Sequence, residues 1–90
     1  MKRTFIPRVA KAILTTAYES NEEVNLIKIA EVNQIFSYSI IVKQRKQLEE
    51  LGLISSRLKG KERYVKLTEK GKQFFERLKA LEEVLGRESL

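Results

Sequence analysis

The stretch that most constrains the fold is a helical segment that leads directly into two short β segments, all within residues 37–67. Ile41 and Leu48 recur at a spacing that brings them to one side of a helix, and Leu51 follows near that side. Gly52 can then adopt the left-handed conformation with which many helices end. The sequence therefore predicts a helix that is buried along one side and stops at Gly52.

Two strands are predicted after this helix, over residues 53–58 and 63–67. In the second strand, Val65 and Leu67 alternate with polar neighbours, which is typical of a strand buried on one side. The four residues between the strands, 59–62, include a glycine and indicate a hairpin turn. Because a two-stranded hairpin has little stability alone, we expect this hairpin to pack against the helices.

Positive charge is concentrated in this helix and hairpin and at the start of the chain. The chain has 18 Lys and Arg against 12 acidic residues, a net charge of +6. Residues 37–67 hold eight Lys and Arg against three Glu, and residues 1–18 hold four Lys and Arg and no acid. Residues 19–36 are acidic, with one Lys against four Glu, and residues 68–90 are balanced. This segregation favours a surface that binds a polyanion over a merely solvated one.

The composition excludes several classes of protein. The 90 residues contain no cysteine and no histidine, which excludes disulfides, thiolate metal sites and histidine-based catalysis. We therefore predict a protein that is not an enzyme and has no metal or cofactor. Hydrophobic residues make up 42% of the chain, enough for one small core. No apolar run reaches the roughly 20 residues that span a bilayer, so a cytoplasmic protein with no membrane partner is expected.

Further helices are expected around this unit. Ser37 or Ser39 is a suitable N-cap for the helix that leads to Gly52, and either Ile35 or Phe36 is expected to pack inward in the preceding turn. The other predicted elements are a basic arm at 1–6, helix one at 7–19, a brief strand or extended lead-in at 24–26, helix two at 27–33, a turn at 33–36, and a last helix capped by Thr68.

The last helix carries an apolar seam whose residues recur at spacings of four, three and four, as in a heptad. The seam residues are Phe74, Leu78, Leu81 and Leu85. They pack either on helix one of the same chain or on a twofold mate. We favour the mate, because a compact fold of this size has little core left for a strict heptad. Phe75, off the seam, is expected to dock on the core of the hairpin, and Gly86 to end the helix.

Two short motifs in this order resemble the winged-helix family, in its MarR-like branch. Residues 48–54, Leu-Glu-Glu-Leu-Gly-Leu-Ile, look like the exit from that branch's recognition helix. Residues 67–71, Leu-Thr-Glu-Lys-Gly, look like its exit from the wing, and the order of elements agrees across residues 7–71. The chain is much shorter than a full MarR repressor. It looks more like the small winged-helix regulators of archaea and their viruses.

The resemblance implies an α+β, mostly α fold: a winged helix-turn-helix with a three-helix core, a β-hairpin wing and a C-terminal dimerisation helix. Residues 1–71 would form the DNA-binding domain with its short basic arm, and residues 72–90 the dimerisation helix and tail. The implied partners are double-stranded DNA and a second copy of the chain. No small-molecule effector is implied, and a viral source would place the protein in the host cytoplasm.

The helix that stops at Gly52, which is helix three of the chain, presents polar and cationic residues on the side opposite its apolar one. A helix fits the major groove of DNA, where its N-terminal residues reach base edges, cations bond guanine or phosphate, and Val42 can touch a thymine methyl. The alternative is a solvated helix face on which Tyr38 packs partly inward. The predicted contact residues are Ser37, Tyr38, Ser39, Val42, Lys43, Arg45 and Lys46.

The hairpin carries four cations around Gly60, and we predict that they grip the minor groove or its phosphates. The alternative is that these charges only keep the hairpin soluble and prevent edge pairing. The residues are Arg57, Lys59, Lys61 and Arg63. Four further cations near the N-terminus form either a second phosphate contact or a frayed basic end: Lys2, Arg3, Arg8 and Lys11.

The predicted function is thus a homodimeric, sequence-specific transcriptional regulator, with the recognition helix in the major groove and the wing on the flanking minor groove or backbone. Two alternatives stay open. One is a nonspecific architectural DNA-binding protein with the same fold, and the other is a winged helix used for protein–protein contact.

Overall fold

A computed structural model describes residues 7–88, with side chains for residues 7–86. Within these residues the elements are α1 (Arg8–Ser20), β1 (Val24–Asn25), α2 (Leu26–Val32), α3 (Tyr38–Glu50), β2 (Ile54–Lys59), β3 (Glu62–Leu67) and α4 (Glu69–Glu88). The predicted order of elements and the mostly helical α+β class are confirmed. The basic arm, including Lys2 and Arg3, lies outside the described residues, as does the end of the tail.

The core lies between α1, α2, α3 and the inner face of the sheet. Helix α1 starts after Pro7 and buries one side, which includes Ile13 and Leu14. These side chains meet Ile29 of α2 and Ile41 of α3, all of them fully buried. Burying side chains of this size contributes about 1.5–3 kcal/mol each, so this cluster dominates the stability of the domain.

The turn between α2 and α3 is set by local hydrogen bonds. Asn33 donates from Nδ2 to the Ile29 carbonyl at 2.8 Å and to Thr16 Oγ1 at 3.0 Å, which ties the end of α2 to α1. Gln34 follows with a φ of 56°, in the place where such turns often carry glycine. Of the two candidates for inward packing, Ile35 packs against the core, whereas Phe36 is 93% exposed.

Helix α3 begins and ends close to the predicted positions. Ser37 is the N-cap, because its side chain accepts a hydrogen bond from the Ile40 N–H at 3.4 Å. Gly52 has a φ of 78°, so the left-handed exit is confirmed. The prediction that Leu51 lies on the apolar side was wrong. Leu51 follows the last helical turn and is 58% exposed, while Leu48 carries the packing.

The hairpin is tighter than predicted. Strands β2 and β3 pair antiparallel from Ile54 with Leu67 to Lys59 with Glu62, so the loop has two residues and not four. Gly60, the first of them, has a φ of 64°, as in the type II′ turns that suit the twist of short hairpins. Strand β1 pairs with β3 on its other edge and completes a three-stranded sheet in the order β1-β3-β2.

The two sequence motifs meet where α3 ends and α4 begins. Thr68 caps α4 by accepting from the Gly71 N–H at 2.9 Å, and its hydroxyl donates to the Gly52 carbonyl at 2.6 Å. Gly71 packs directly against the backbone of Leu53, where a Cβ would lie 1.9 Å from the Leu53 carbonyl oxygen. The motifs therefore form one joint, which places α4 relative to α3.

Helix α4 lies along α1. Phe75 is buried in the common core, and its ring lies 4.7 Å from that of Tyr18, so it docks on α1 as well as beneath the sheet. The prediction that Gly86 ends the helix was wrong, because α4 continues to Glu88 and Gly86 has no positive φ. No helix of residues 7–88 is long and apolar enough to cross a membrane.

Candidate nucleic-acid interface

The exposed side of α3 forms a shallow groove of about 590 Å³. Tyr38, Ser39, Lys43 and Lys46 are exposed there, and Val42 is half-buried against the core. Ser37 is half-buried, and its hydroxyl lies 3.2 Å from that of Ser39. The groove is lined by Tyr38, Ser39, Val42, Lys43, Lys46, Gln47 and Glu50. Five of the seven helix residues predicted to contact DNA therefore share one surface, and a sixth adjoins it.

Arg45 is the seventh, and it lies elsewhere. It is only 6% exposed, and its guanidinium is ion-paired with Glu49 one turn along the helix. Among the described residues, Arg45 Nε has no hydrogen-bond partner. In this conformation the side chain faces the hairpin and not the groove, so we leave Arg45 out of the proposed contacts.

Arg45 belongs to a polar cluster that joins α3 to both strands of the hairpin. Ser56 of β2 donates to Glu49 Oε2 at 2.5 Å, and Arg63 Nη1 of β3 donates to the Ser56 hydroxyl at 2.9 Å. Burial alone would raise the pKa of Glu49. The Ser56 hydroxyl and the guanidinium groups of Arg45 and Arg63 outweigh burial, and the pKa lies below its ordinary value. The cluster therefore holds an ionised carboxylate between helix and wing.

The remaining wing cations lie at the tip and along the outer face of the sheet. Arg57 donates to Glu23 at 2.6 and 3.0 Å, and Lys59 forms an ion pair with the same carboxylate at 3.1 Å. These hydrogen bonds, from Arg57 first and then Lys59, lower the pKa of Glu23 to about 2. Lys61 is exposed at the turn and has no ion pair within the described residues.

The four seam residues lie on one side of α4. Phe74, Leu81 and Leu85 are exposed, Leu78 is half-buried, and Val84 beside them is also exposed. A different side of α4 faces α1, where Tyr18 donates to Glu76 at 2.9 Å and Lys11 pairs with Glu82 at 2.7 Å. Lys11, predicted as a possible phosphate contact, is therefore engaged with α4. That the seam pairs two subunits stays a prediction.

Three residues that the sequence reasoning did not assign to the site adjoin it: Glu23, Ser56 and Phe36. Glu23 and Ser56 are polar residues whose partners are distant in sequence, so no local pattern marks them. The sequence predicts Phe36 only as one of two candidates for packing in the turn. In residues 7–86, no group of three or more acidic side chains is arranged to hold a metal ion.

The fold is similar to those of known winged-helix proteins. A MarR-family transcriptional regulator from Rhodococcus sp. RHA1 matches with 27% identity and a TM-score of 0.80, over 91% of this chain and 59% of its own. SSV1 F-93, from an archaeal virus, matches with 27% identity and a TM-score of 0.62, over 97% and 98%. AF1382 from Archaeoglobus fulgidus matches with 24% identity and a TM-score of 0.74, over 90% of each chain.

These matches confirm the resemblance to small winged-helix, MarR-like proteins. At its lower identity, the Archaeoglobus protein supports the fold alone. This chain spans 59% of the length of the Rhodococcus regulator but nearly all of the viral protein. No protein-family model matches the chain, and no curated protein matches it.

Proposed function

We propose that this protein is a homodimeric transcriptional regulator that binds specific sites on double-stranded DNA in the cytoplasm and has no catalytic activity. The observation that carries the proposal is the junction of two cationic elements. The exposed face of α3, with Lys43 and Lys46, is joined to the wing through the Glu49–Ser56–Arg63 hydrogen bonds. The similarity to a MarR-family regulator supports the same conclusion.

In this proposal the face of α3 enters the major groove. Ser39 and Lys43 lie near the N-terminal end of the helix, the end that reaches base edges in this class of fold. Val42 contacts a thymine methyl, and Lys46 contacts phosphate farther along the helix. Ser37 and Tyr38, at the first turn, contact the DNA where the N-terminal end of the helix enters the groove.

The wing contacts the flanking minor groove or its phosphates. Lys61 occupies the tip of the two-residue turn, with Arg57 and Lys59 on the neighbouring strand β2. Arg63 has a second role, because it donates to the Ser56 hydroxyl that in turn donates to Glu49 and so joins the wing to α3. Each phosphate neutralised by one of these cations releases condensed counterions, so affinity should fall steeply with salt.

Two copies of the chain pair through the seam of α4. Pairing covers the exposed parts of Phe74, Leu78, Leu81 and Leu85, which together form an apolar strip along α4. A twofold dimer presents two recognition helices to successive major grooves, so the target is an inverted repeat with half-sites about 34–36 Å apart, or a multiple of that distance.

Selection of bound sites from random duplex DNA tests this function. We expect an enriched inverted repeat, bound at physiological salt at least about 1000-fold more tightly than random duplex. Tight binding without sequence preference would instead indicate an architectural DNA-binding protein. Absence of duplex binding even at low salt would favour a winged helix that contacts another protein.

A further inference from the structure

Phe36 is the most exposed large apolar side chain in the described part of the molecule, with 93% of its surface accessible. Most apolar side chains of this size are at least partly covered in a folded domain. It lies between α2 and α3, beside a hollow of about 430 Å³ that is mostly apolar and that Ile27, Ala30 and Tyr38 also line. The ring is therefore displayed to solvent on a surface suited to apolar contact.

The backbone on both sides of Phe36 is fixed. Before it, the Ile35 N–H donates to the Ala30 carbonyl at 2.8 Å, and the Ile35 side chain packs against the core. After it, Ser37 caps α3, and the Ser37 carbonyl accepts from the Ile41 N–H at 3.3 Å. A backbone held in this way loses little conformational freedom when the turn binds a ligand, so only the rotamer of the ring has to be fixed.

The same surface is continuous with the groove of α3. Tyr38 lines both the hollow beside Phe36 and the groove that holds Lys43 and Lys46. Two residues of extended chain span at most about 7 Å, which is about two base steps of 3.4 Å. A duplex that occupies the groove at Tyr38 thus passes within reach of the Phe36 ring.

We propose that Phe36 is a specificity-determining residue, whose ring contacts the C5-methyl group of a thymine in the major groove, within about two base pairs of the position that Tyr38 contacts. This inference rests on the proposed function. A phenyl ring cannot hydrogen-bond a base edge, and the thymine methyl is the apolar group that the major groove offers. Glu31 also lines the hollow, and its carboxylate disfavours a phosphate there, so the contact is to a base and not to the backbone.

Replacement of single thymines by uracil tests the contact, because it removes only the methyl group. Besides the penalty at the thymine assigned to Val42, wild-type protein should lose about fivefold to tenfold in affinity at one further thymine in each half-site of the selected sequence. In Phe36→Ala that uracil penalty should vanish, and affinity for the unmodified site should be lower by a similar factor. Affinity for random duplex and the slope of affinity against salt should not change, because no cation is removed.

Val32→Ala is the matched control, since Val32 is an exposed apolar residue of α2 that does not line the hollow. It should keep every uracil penalty, and both variants should melt at the wild-type temperature. The inference is overturned if Phe36→Ala keeps all the uracil penalties, or if it loses affinity equally for random duplex. It is also overturned if the variant changes the sedimentation mass, because the ring would then contact a second protein. If wild-type protein shows no preference for any site, the proposed specific function fails first and the thymine contact with it.

Discussion

Glu23 is the residue whose carboxylate competes with DNA phosphates for cations of the wing in the proposed complex. Its carboxylate accepts hydrogen bonds from Arg57 and lies 3.1 Å from the ammonium of Lys59, two of the four cations assigned to the wing. Because the pKa of Glu23 is about 2, the carboxylate stays ionised at any pH at which DNA binding is measured. In the proposed complex, phosphates must compete with Glu23 for both cations.

Glu23→Gln should therefore strengthen DNA binding. The change releases Arg57 and Lys59 to phosphate, so we expect affinity to rise severalfold and the slope of log affinity against log salt to steepen by about one to two. The measurement is fluorescence anisotropy of labelled duplex over a salt series. Glu22→Gln is the control, because it makes the same change in net charge at the neighbouring residue, which lines the same surface depression as Glu23 and Arg57, without breaking an ion pair. Equal effects of the two variants would show that only net charge matters.

At the scale of the elements, the cluster between α3 and the hairpin joins α3 and the hairpin into one unit. The Arg45 guanidinium is almost fully buried, whereas the Glu49 side chain keeps 31% of its surface exposed. A buried ion pair contributes little net stability, but losing one partner leaves a charge unpaired. The cost of removing Glu49 should therefore exceed the cost of removing both residues together.

We expect Glu49→Gln to lower the free energy of unfolding by about 2 kcal/mol, below the range for a fully buried pair because Glu49 is partly in water. The double variant Arg45→Met with Glu49→Leu should lose less than about 1 kcal/mol. Urea denaturation measures both. Lys46 and Glu50 have the same spacing on α3 but are both exposed and form no ion pair within the described residues, so Glu50→Gln should shift stability by less than about 0.5 kcal/mol. An equal loss in Glu49→Gln and Glu50→Gln would contradict the role of burial.

The joint between α3 and α4 depends on the absence of a side chain at residue 71. A Cβ at Gly71 would meet the Leu53 carbonyl at 1.9 Å, and backbone cannot move aside cheaply. We expect Gly71→Ala to destabilise the protein by about 3 kcal/mol. Gly86→Ala, in the same helix but with nothing within 4 Å, should instead stabilise it by roughly 0.5–1 kcal/mol. The measurement is the melting temperature of each variant. A decrease for Gly71→Ala with an increase for Gly86→Ala would confirm the contrast, and similar shifts would refute it.

The features that could be predicted well from the sequence are those determined by neighbouring residues. Hydrophobic spacing identified every helix and both hairpin strands, because period and capping act within a few residues. Features decided by distant contacts were missed. Arg45 has the sequence context of a surface cation, and only the position of β2 beside it accounts for its burial. The sequence of the turn does not show whether Ile35 or Phe36 packs inward, because that depends on the position of α1. Gly86 resembles a helix end, but an exposed glycine can continue a helix at modest cost.

At the scale of the whole molecule, α4 contacts the domain by one side and carries the seam on another. Tyr18 contacts Phe75 and Glu76, and Lys11 contacts Glu82, so α1 and α4 run antiparallel. The 20 residues of α4 span about 30 Å, and Glu82, in its second half, pairs with Lys11 of α1. The exposed side of α4 therefore offers the proposed dimer an apolar surface that does not overlap the face of α3.

Leu81→Glu tests the dimer, because it puts a charge at the most exposed position of the seam. We expect wild-type protein to sediment at twice the subunit mass of 10.5 kDa and Leu81→Glu at the subunit mass, with its fold retained. Ala80→Glu is the control: it adds the same charge to the same helix, at an exposed residue rotated about 100° from Leu81, and should stay dimeric.

DNA binding distinguishes a seam that pairs two subunits from a seam that packs within its own chain. A monomeric Leu81→Glu variant keeps the α3 face and wing, so it should still bind a single half-site as wild-type subunits do. It should lose the gain from binding two linked half-sites, about 100-fold or more on the full inverted repeat. If the seam packed only within its own chain, Leu81→Glu would instead lower the melting temperature while the sedimentation mass and the ratio of full-site to half-site affinity stayed as in wild type.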